Sequence, residues 1–152
     1  MIAVDTNILV YAHRRDSEWH HRAQKTIAGL AEAATPWAIP WPCIHEFLAI
    51  VTHARIYKPA TPLDAALQQL HFWSESPSLR LIGELRGHLK VLEGILSGGK
   101  ISGGGVHDAR IAAICREHGI SELWTADRDF GRIPGVRVRN PLLQPEPPGS
   151  PQ

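Results

Sequence analysis

The chain has 152 residues, of which 43% are hydrophobic and 20% are charged, a length and composition that fit one globular domain and argue against two. Its net charge of +1 does not indicate a nucleic-acid binder of the strongly basic class, but it does not exclude one, because an acidic pocket would leave the remaining surface more basic than the total. The short apolar stretch at the N-terminus holds Asp5 and Asn7 and follows no basic segment, so we expect no signal peptide, no membrane span and a cytoplasmic location.

The first half of the chain alternates short apolar runs with helical patterns. Ile2–Val4 is predicted to be a buried strand, and the polar residues that follow it can cap the first turn of a helix. Residues 17–34 predict a helix with Ser17 as its N-cap, residues 37–39 a short strand, and residues 42–56 a helix with Pro42 in its first turn. Thr61 as N-cap and Pro62 after it predict the start of a further helix.

The second half repeats this alternation. Residues 78–82, 121–126 and 136–139 are predicted strands, while residues 88–96 and 106–119 are predicted helices, the second ended by Gly119. Such an order predicts an α/β fold with a central, mostly parallel sheet flanked by helices, which binds ligands beyond the carboxyl ends of its strands. Residues 144–152 are Pro-rich and expected to be unstructured, which leaves one domain over residues 1–143.

Four carboxylates occupy positions that this fold can bring together. Asp5 and Asp127 follow predicted strands, Asp108 lies in the first turn of a predicted helix, and Glu46 lies within another. Each has an ordinary explanation as a cap, a turn residue or a partner of the helix dipole. Glu46 shares a helical face with apolar neighbours and is predicted to point inward, where it would need a cation or a basic side chain as partner.

Considered as a set, these carboxylates predict an acidic metal site. Carboxylates in one pocket repel one another, and protonation or a hard divalent cation relieves that repulsion. A pocket that binds Mg²⁺ or Mn²⁺ through oxygen ligands is typical of phosphoryl-transfer and nuclease centres. The pattern His45-Glu46 begins like a zinc-protease motif, but Ala49 breaks it. His107 is expected to have a structural role in preference to a substrate contact.

Four sequence motifs occur in order along the chain: V-D-T-N, P-x-x-x-E-F-L-A, H-D-A-R-I-A-A and L-W-T-A-D-R-D-F. Together they resemble the PIN-domain ribonucleases, in particular the VapC-type toxins of bacterial toxin–antitoxin modules, and the resemblance covers residues 1–143. It implies a PIN-like α/β/α sandwich. It also implies a metal-dependent endoribonuclease, a hydrolase that attacks an RNA phosphodiester with a metal-activated water.

The resemblance also assigns roles to residues. It implies that the catalytic carboxylates are Asp5, Glu46, Asp108 and Asp127, with Asp5 and Asp108 directly on Mg²⁺ or Mn²⁺. Accessory or substrate-binding polar positions would be Thr6, Asn7, Thr125 and Asp129, and Asp129 is also an alternative to Asp127 as the fourth acid. Whether one ion or two is bound stays open.

Partners and alternative functions follow from the same resemblance and from composition. A cognate VapB-like antitoxin, an RNA substrate and a homodimer are implied, and the five tryptophans supply apolar surface for such contacts. Arginines in the last third of the chain are candidate phosphate contacts or members of a solvated face. The alternatives are another metal-dependent nuclease or phosphohydrolase that acts on DNA, or a non-catalytic RNA-binding or interaction module. Cys43 and Cys115 are expected to be buried free thiols.

Overall fold

The fold is built on a five-stranded parallel sheet. The computed structural model describes residues 1–143, so the expectation for the tail at 144–152 lies outside the described residues. The strands are β1 Ile2–Val4, β2 Trp37–Pro40, β3 Leu79–Ile82, β4 Glu122–Trp124 and β5 Val138–Arg139. Their order is β3-β2-β1-β4-β5, and every pair of neighbours is parallel. The predicted α/β class with a parallel sheet is therefore confirmed.

Six helices flank this sheet, and the longest of them have 13 residues. Their bounds are α1 Thr6–His13, α2 His20–Glu32, α3 Trp41–Val51, α4 Leu63–Ser74, α5 His88–Gly99 and α6 Gly105–Glu117. Short 3-10 turns at Arg128–Arg132 and Pro141–Leu143 follow β4 and β5. Gly119 has a φ of 64° just beyond α6, as the predicted stop required.

The strand order places a switch point at the centre of the sheet. The chain builds β2 and β3 on one side of β1 and then crosses over to build β4 and β5 on the other side. In open α/β sheets, ligands bind beyond the carboxyl ends of the strands at such a reversal. Asp5 follows β1 and Thr125 follows β4, so the two residues emerge side by side at this point.

The hydrophobic core is formed by the strands and by the helix faces that pack on them. All four residues of β2 are buried, as expected for a strand covered on both faces. The largest fully buried side chains include Trp37, Phe47 and Phe130, contributed by the sheet, by α3 and by the turn after β4. Cys43 and Cys115 are buried and unpaired with each other, as predicted. Among residues 1–143, no helix is both long and apolar enough to cross a bilayer.

Two helix boundaries differ from the prediction. The helix predicted over residues 17–34 begins at His20, because Ser17 accepts a hydrogen bond from the backbone of Trp19 in a preceding turn and does not cap the helix. The helix predicted to run to residue 56 ends at Val51, whose carbonyl accepts from the backbone of Thr61, at 2.8 Å. This second contact is tertiary, so local sequence patterns could not reveal it.

The ends of one further helix and of three strands differ slightly from the prediction. Helix α4 begins at Leu63 with Pro62 as its cap, so Thr61 lies one residue outside the predicted N-cap position. The predicted strands at residues 78–82, 121–126 and 136–139 are each shorter than expected. In the second of these, the strand ends at Trp124, although the backbone N–H of Thr125 still donates to the carbonyl of Arg139 at 2.9 Å, and the side chain of Thr125 contacts the site described below.

Candidate active site

Asp5 is the buried centre of the site. Its carboxylate caps α1 by accepting from the backbone N–H of Thr6, at 2.8 Å, and its residue surface is only 4% exposed. The same oxygen, Oδ1, accepts from the thiol of Cys43 at 3.5 Å. The second oxygen, Oδ2, accepts from the hydroxyl of Thr125 at 2.8 Å and from Nδ2 of Asn7 at 3.3 Å.

The pKa of Asp5 is raised to about 6 from an ordinary value of 3.8. Burial is the main cause, and the nearby charge of Glu46 adds to it, while the hydrogen bonds from Thr125, Thr6 and Cys43 oppose the shift. The donors around Asp5 therefore only partly compensate the loss of water around its charge. A carboxylate in this state would gain from a nearby cation.

Thr125 and Asn7 connect the ends of β1 and β4. Thr125 Oγ1 accepts from Asn7 Nδ2 at 3.1 Å and from the backbone N–H of Asp127 at 3.0 Å. Asn7 Oδ1 accepts from the backbone N–H of Ala126 at 2.9 Å. The loop that carries Asp127 is thus held against the loop that carries Asp5, and the predicted accessory positions Asn7 and Thr125 are in direct contact with an acid of the set.

Asp127 and Asp129 have different surroundings. Asp127 is half-buried and caps the following 3-10 turn by accepting from the backbone N–H of Asp129, at 2.9 Å. Asp129 is exposed. Of the two candidates for the fourth acid, Asp127 is the one whose backbone is tied to Thr125 and hence to Asp5.

Glu46 joins the site from α3. Its Oε2 accepts from the hydroxyl of Thr6 at 3.2 Å, so the third predicted accessory residue links Glu46 to the loop of Asp5. The expectation that Glu46 points inward among apolar residues was wrong, because the residue is exposed. Cys43, one turn earlier, lies on the buried face, whereas Glu46 lies at the edge of that face, where the helix borders a cleft.

Asp108 reaches the same cleft from the first turn of α6 and is half-buried. Its pKa is raised, chiefly by partial burial and then by the charges of Asp127, Glu46 and Asp129, whereas His107 opposes the shift. The cleft, of about 560 Å³, lies between α3 and α6, and Glu46, Asp108, His45, His107 and Arg110 are among its lining residues. The repulsion felt by Asp108 means that carboxylates from three separate segments, α3, α6 and the turn after β4, lie within electrostatic range of one another.

The donor set suits a hard divalent cation. Within residues 1–143, no three His, Cys, Asp or Glu side chains are grouped so that they could hold a metal ion together. Mg²⁺ does not need such a cage, since proteins usually bind it through one or two carboxylates and leave the other positions to water and substrate phosphate. Asp5 and Asp108 both carry raised pKa values that a nearby cation would lower, so these residues fit the ion that the sequence predicted.

Sequence reasoning missed three residues of this site. Cys43, which contacts Asp5, was assigned only to the core, and His45 was considered only as part of a failed zinc motif. Trp41 was grouped with the other tryptophans as apolar surface for partner contacts and was given no role at the site; it is 42% exposed at the start of α3. Helical spacing offered a signal for His45, because Pro42 and Ala49, at −3 and +4 from it, line the same cleft.

A second cleft lies away from the carboxylates. It has a volume of about 640 Å³ and runs between α1, α2 and α4. Its lining is mainly apolar and includes Ile27, Ala31, Phe72 and Trp73, and Phe72 is 66% exposed. Its size shows that volume alone does not locate the chemistry of this chain, since no carboxylate lines it.

Comparison with known proteins identifies relatives of matching length. Ribonuclease VapC48 of Mycobacterium tuberculosis (strain CDC 1551 / Oshkosh) is 29% identical over 138 residues, which cover 91% of this chain and 95% of that protein. Ribonuclease VapC37 of Mycobacterium tuberculosis (strain ATCC 25618 / H37Rv) is 30% identical over 141 residues, covering 93% and 97%. Both alignments therefore span nearly the whole length of this chain and of each relative.

Solved structures share the fold. The crystal structure of Mycobacterium tuberculosis VapC20, a sarcin–ricin loop cleaving toxin, has a TM-score of 0.66 at 18% identity over 92% of this chain and 100% of that chain. A toxin–antitoxin complex from Klebsiella pneumoniae contains a chain with a TM-score of 0.58 at 20% identity, covering 93% and 98%. A family model described as the PIN domain matches residues 2–136. The chain therefore belongs to the PIN-domain family, and ribonucleases of the VapC group are among its relatives.

Proposed function

We propose that this chain is a metal-dependent endoribonuclease and the toxin of a toxin–antitoxin pair. The observation that carries the proposal is that Glu46 and Asp108 line one cleft, while Thr6 joins Glu46 to the loop of the buried Asp5. The charges of Asp127, Glu46 and Asp129 also help to raise the pKa of Asp108, after partial burial as the main cause. Carboxylates that repel one another at the switch point of a parallel sheet form a site that a divalent cation would complete. The relatives named ribonucleases support RNA as the substrate class.

In this proposal, Asp5 and Asp108 are the metal ligands, and Mg²⁺ or Mn²⁺ is the ion. When bound, the cation would neutralise the scissile phosphate and lower the pKa of water at the site. Thr6, Asn7 and Thr125 orient the carboxylates through the hydrogen bonds described above.

The remaining acids handle the proton of the attacking water. Glu46 is exposed to the cleft and held by Thr6, and Asp127 is held by Thr125, so each is placed to orient water or accept its proton. The water oxygen forms the new bond to phosphorus, the bond to one ester oxygen breaks, and the carboxylate takes the proton. Asp129 is the alternative to Asp127 in this role.

The basic residues near Asp127 would position the RNA backbone. Arg128 and Arg132 flank the turn that Asp127 caps, and both are exposed, as is Arg137. Arg110 lines the carboxylate cleft and forms an ion pair with Glu84. Phosphate contacts of this kind fix the register of a nucleic acid without reading its sequence. We therefore assign these arginines to RNA binding, with no preference for a particular target.

A proteinaceous antitoxin is the proposed partner, and the toxin–antitoxin complex among the structural neighbours supports it. The cleft between α2 and α4 offers the apolar lining that an amphipathic helix of such a partner would cover, and Phe72 stands exposed beside it. We also propose a homodimer, a cytoplasmic location, and residues 1–143 as the PIN domain.

Controlled expression in bacteria tests this proposal. Wild-type chain alone should arrest growth, Asp108→Asn at equal protein level should not, and co-expression of the protein encoded next to its gene should restore growth. Harmless expression of soluble wild-type protein would contradict the toxin assignment. Equal arrest by Asp108→Asn would show that any toxicity is independent of the carboxylates.

A further inference from the structure

An aromatic pair lies on the rim of the carboxylate cleft. Trp41 is the first residue of α3, directly beyond the carboxyl end of β2, and 42% of its surface is exposed. One helical turn later, His45 places its ring 6.1 Å from the ring of Trp41, at an interplanar angle of 30°. His45 is itself exposed and lines the cleft beside Glu46. His45 therefore lies in the cleft of Glu46 and Asp108, and the exposed ring of Trp41 adjoins it from outside that cleft.

The position of Trp41 is supported by its neighbours. A Cβ atom at Gly83 would lie 3.5 Å from Cδ1 of Trp41, so the indole edge approaches the backbone that follows β3. Trp41 also lines a small, mainly apolar cavity of about 190 Å³, together with Ile39, Ile44 and other residues. An aromatic ring held in this way loses little side-chain entropy when a ligand stacks on it.

Unpaired RNA presents ligands of matching shape. Proteins that bind single-stranded RNA splay its bases out and stack them on aromatic side chains, including Trp and His. A strand bound with a phosphate at Glu46 and Asp108 must direct its neighbouring nucleotides along the walls of the cleft. One wall carries His45, whose ring lies next to that of Trp41. The wall opposite these rings carries His107 and Arg110, which suit phosphate.

We infer that Trp41 and His45 form a stacking platform for an unpaired base of the RNA substrate, next to the scissile phosphate. The inference rests on the proposed ribonuclease function and deepens it, because it selects single-stranded or looped RNA over a continuous duplex. Continuity of the rings with the carboxylate cleft favours RNA as the occupant. Burial of Trp41 by a second copy of the chain is the competing outcome of the experiment.

Binding measurements in a cleavage-deficient background test the platform. Every protein carries Asp108→Asn and is titrated against a fluorescein-labelled single-stranded RNA in Mg²⁺, with anisotropy as the readout. Adding Trp41→Ala should weaken binding about 5- to 100-fold, the range typical of a lost base–aromatic stack. His45→Ala should weaken it in the same direction. Trp41→Phe keeps an aromatic face and should stay within about threefold of the parent.

Controls separate stacking from loss of structure. Leu89→Ala removes an apolar side chain that is 70% exposed on α5, outside the carboxylate cleft, and should leave RNA affinity unchanged. Far-ultraviolet circular dichroism and urea midpoints should match across the set. An RNA of the same length with abasic positions should bind the parent more weakly and should be insensitive to Trp41→Ala, because no base remains to stack.

Different results would contradict the stacking platform, assign the rings to an interface between copies, or contradict the ribonuclease function. Equal RNA affinity for the Trp41→Ala, Leu89→Ala and parent proteins would refute it, as would equal affinity for intact and abasic RNA. A switch from dimer to monomer on Trp41→Ala, seen by sedimentation, with unchanged affinity per protomer, would assign the rings to an interface between copies. If wild-type protein cleaves RNA while the platform fails, the ribonuclease function stands. If neither cleavage nor binding occurs, the proposed function fails as well.

Discussion

The hydroxyl of Thr125 donates a hydrogen bond of 2.8 Å to Oδ2 of Asp5 and so joins two residues that are 120 positions apart in the chain. Both residues lie just beyond the carboxyl ends of neighbouring parallel strands, β1 and β4. The same hydroxyl oxygen accepts from Asn7 and from the backbone of Asp127. One buried side chain therefore connects both loops of the site.

Replacing Thr125 by Val should destabilise the protein, since Val keeps the shape but removes one donor and one acceptor. The expected loss in unfolding free energy is about 1–3 kcal/mol, because the buried oxygen of Asp5 loses its shortest side-chain bond. Thr125→Ser retains the hydroxyl and is the matched control, with a smaller expected change. Urea denaturation at pH 7 measures both, and equal midpoints for Val and wild type would show that this bond contributes nothing.

The unfolding free energy should depend on pH because the pKa of Asp5 differs between the folded and the unfolded chain. Its pKa is about 6 in the folded state and near 3.8 when unfolded, so between these values the folded chain holds a proton that the unfolded chain has released. The contribution of Asp5 to stability is therefore greatest at low pH and falls as pH rises through this window. Above about pH 6 the penalty is complete, on the order of 3 kcal/mol.

Asp5→Asn tests this sign in metal-free buffer. The unfolding free energy of the variant minus that of wild type should increase from pH 4 to pH 7 by an amount on the order of 3 kcal/mol. Asp64→Asn, a change at an exposed carboxylate in the first turn of α4, should show no such increase. A difference for Asp5→Asn that stays constant with pH would mean that the carboxylate is not perturbed by burial.

The identity of the fourth acid should be resolved by a matched pair of variants. Asp127→Asn keeps an oxygen that can accept from the backbone of Asp129, so the turn is retained while the charge is lost. We expect this variant to lower the turnover of RNA by about 100-fold or more if Asp127 handles the proton of water. Asp129→Asn should lower it by less than about tenfold. Single-turnover cleavage measures both, and a reversed order would make Asp129 the fourth acid.

Divalent metal should stabilise the folded chain. Binding of Mg²⁺ or Mn²⁺ to the native state alone raises stability by linkage, about 2.7 kcal/mol at a hundredfold excess over Kd. For a domain of this size each kcal/mol corresponds to about 2–4 °C in Tm. Millimolar Mn²⁺ should therefore raise the Tm of wild type above its value in EDTA, whereas Asp108→Asn should lose most of the shift. Equal Tm values in EDTA and Mn²⁺ would contradict the assigned ligands.

The sequence predicted the fold and the nearness of Asp5 and Thr125 because both depend on local rules. Asp5 and Thr125 each directly follow an apolar strand. Parallel strands end at the same edge of a sheet, so the two residues meet there whatever their distance along the chain. The parallel direction of neighbouring strands also follows from the long connections between them.

What the sequence did not predict depends on tertiary contacts. Periodicity cannot distinguish the edge of a buried helical face from its centre, so Glu46 was expected to be buried although it borders a cleft. The end of α3 at Val51 depends on a hydrogen bond from Thr61, which no local pattern encodes. Tryptophan is usually a buried residue, and the sequence alone did not indicate that Trp41, at the start of α3, would be exposed next to His45.

Cleavage of a defined RNA by the purified protein tests the central claim most directly. Wild-type chain should cut a labelled single-stranded RNA internally in Mg²⁺ or Mn²⁺, EDTA should stop the reaction, and Asp5→Asn and Asp108→Asn purified identically should show no cutting. A DNA strand of the same sequence and a small phosphate ester should remain intact. RNA left uncut by folded wild-type protein in both metals would contradict the account, as would cutting of DNA in preference to RNA or equal cutting by the Asp108→Asn variant.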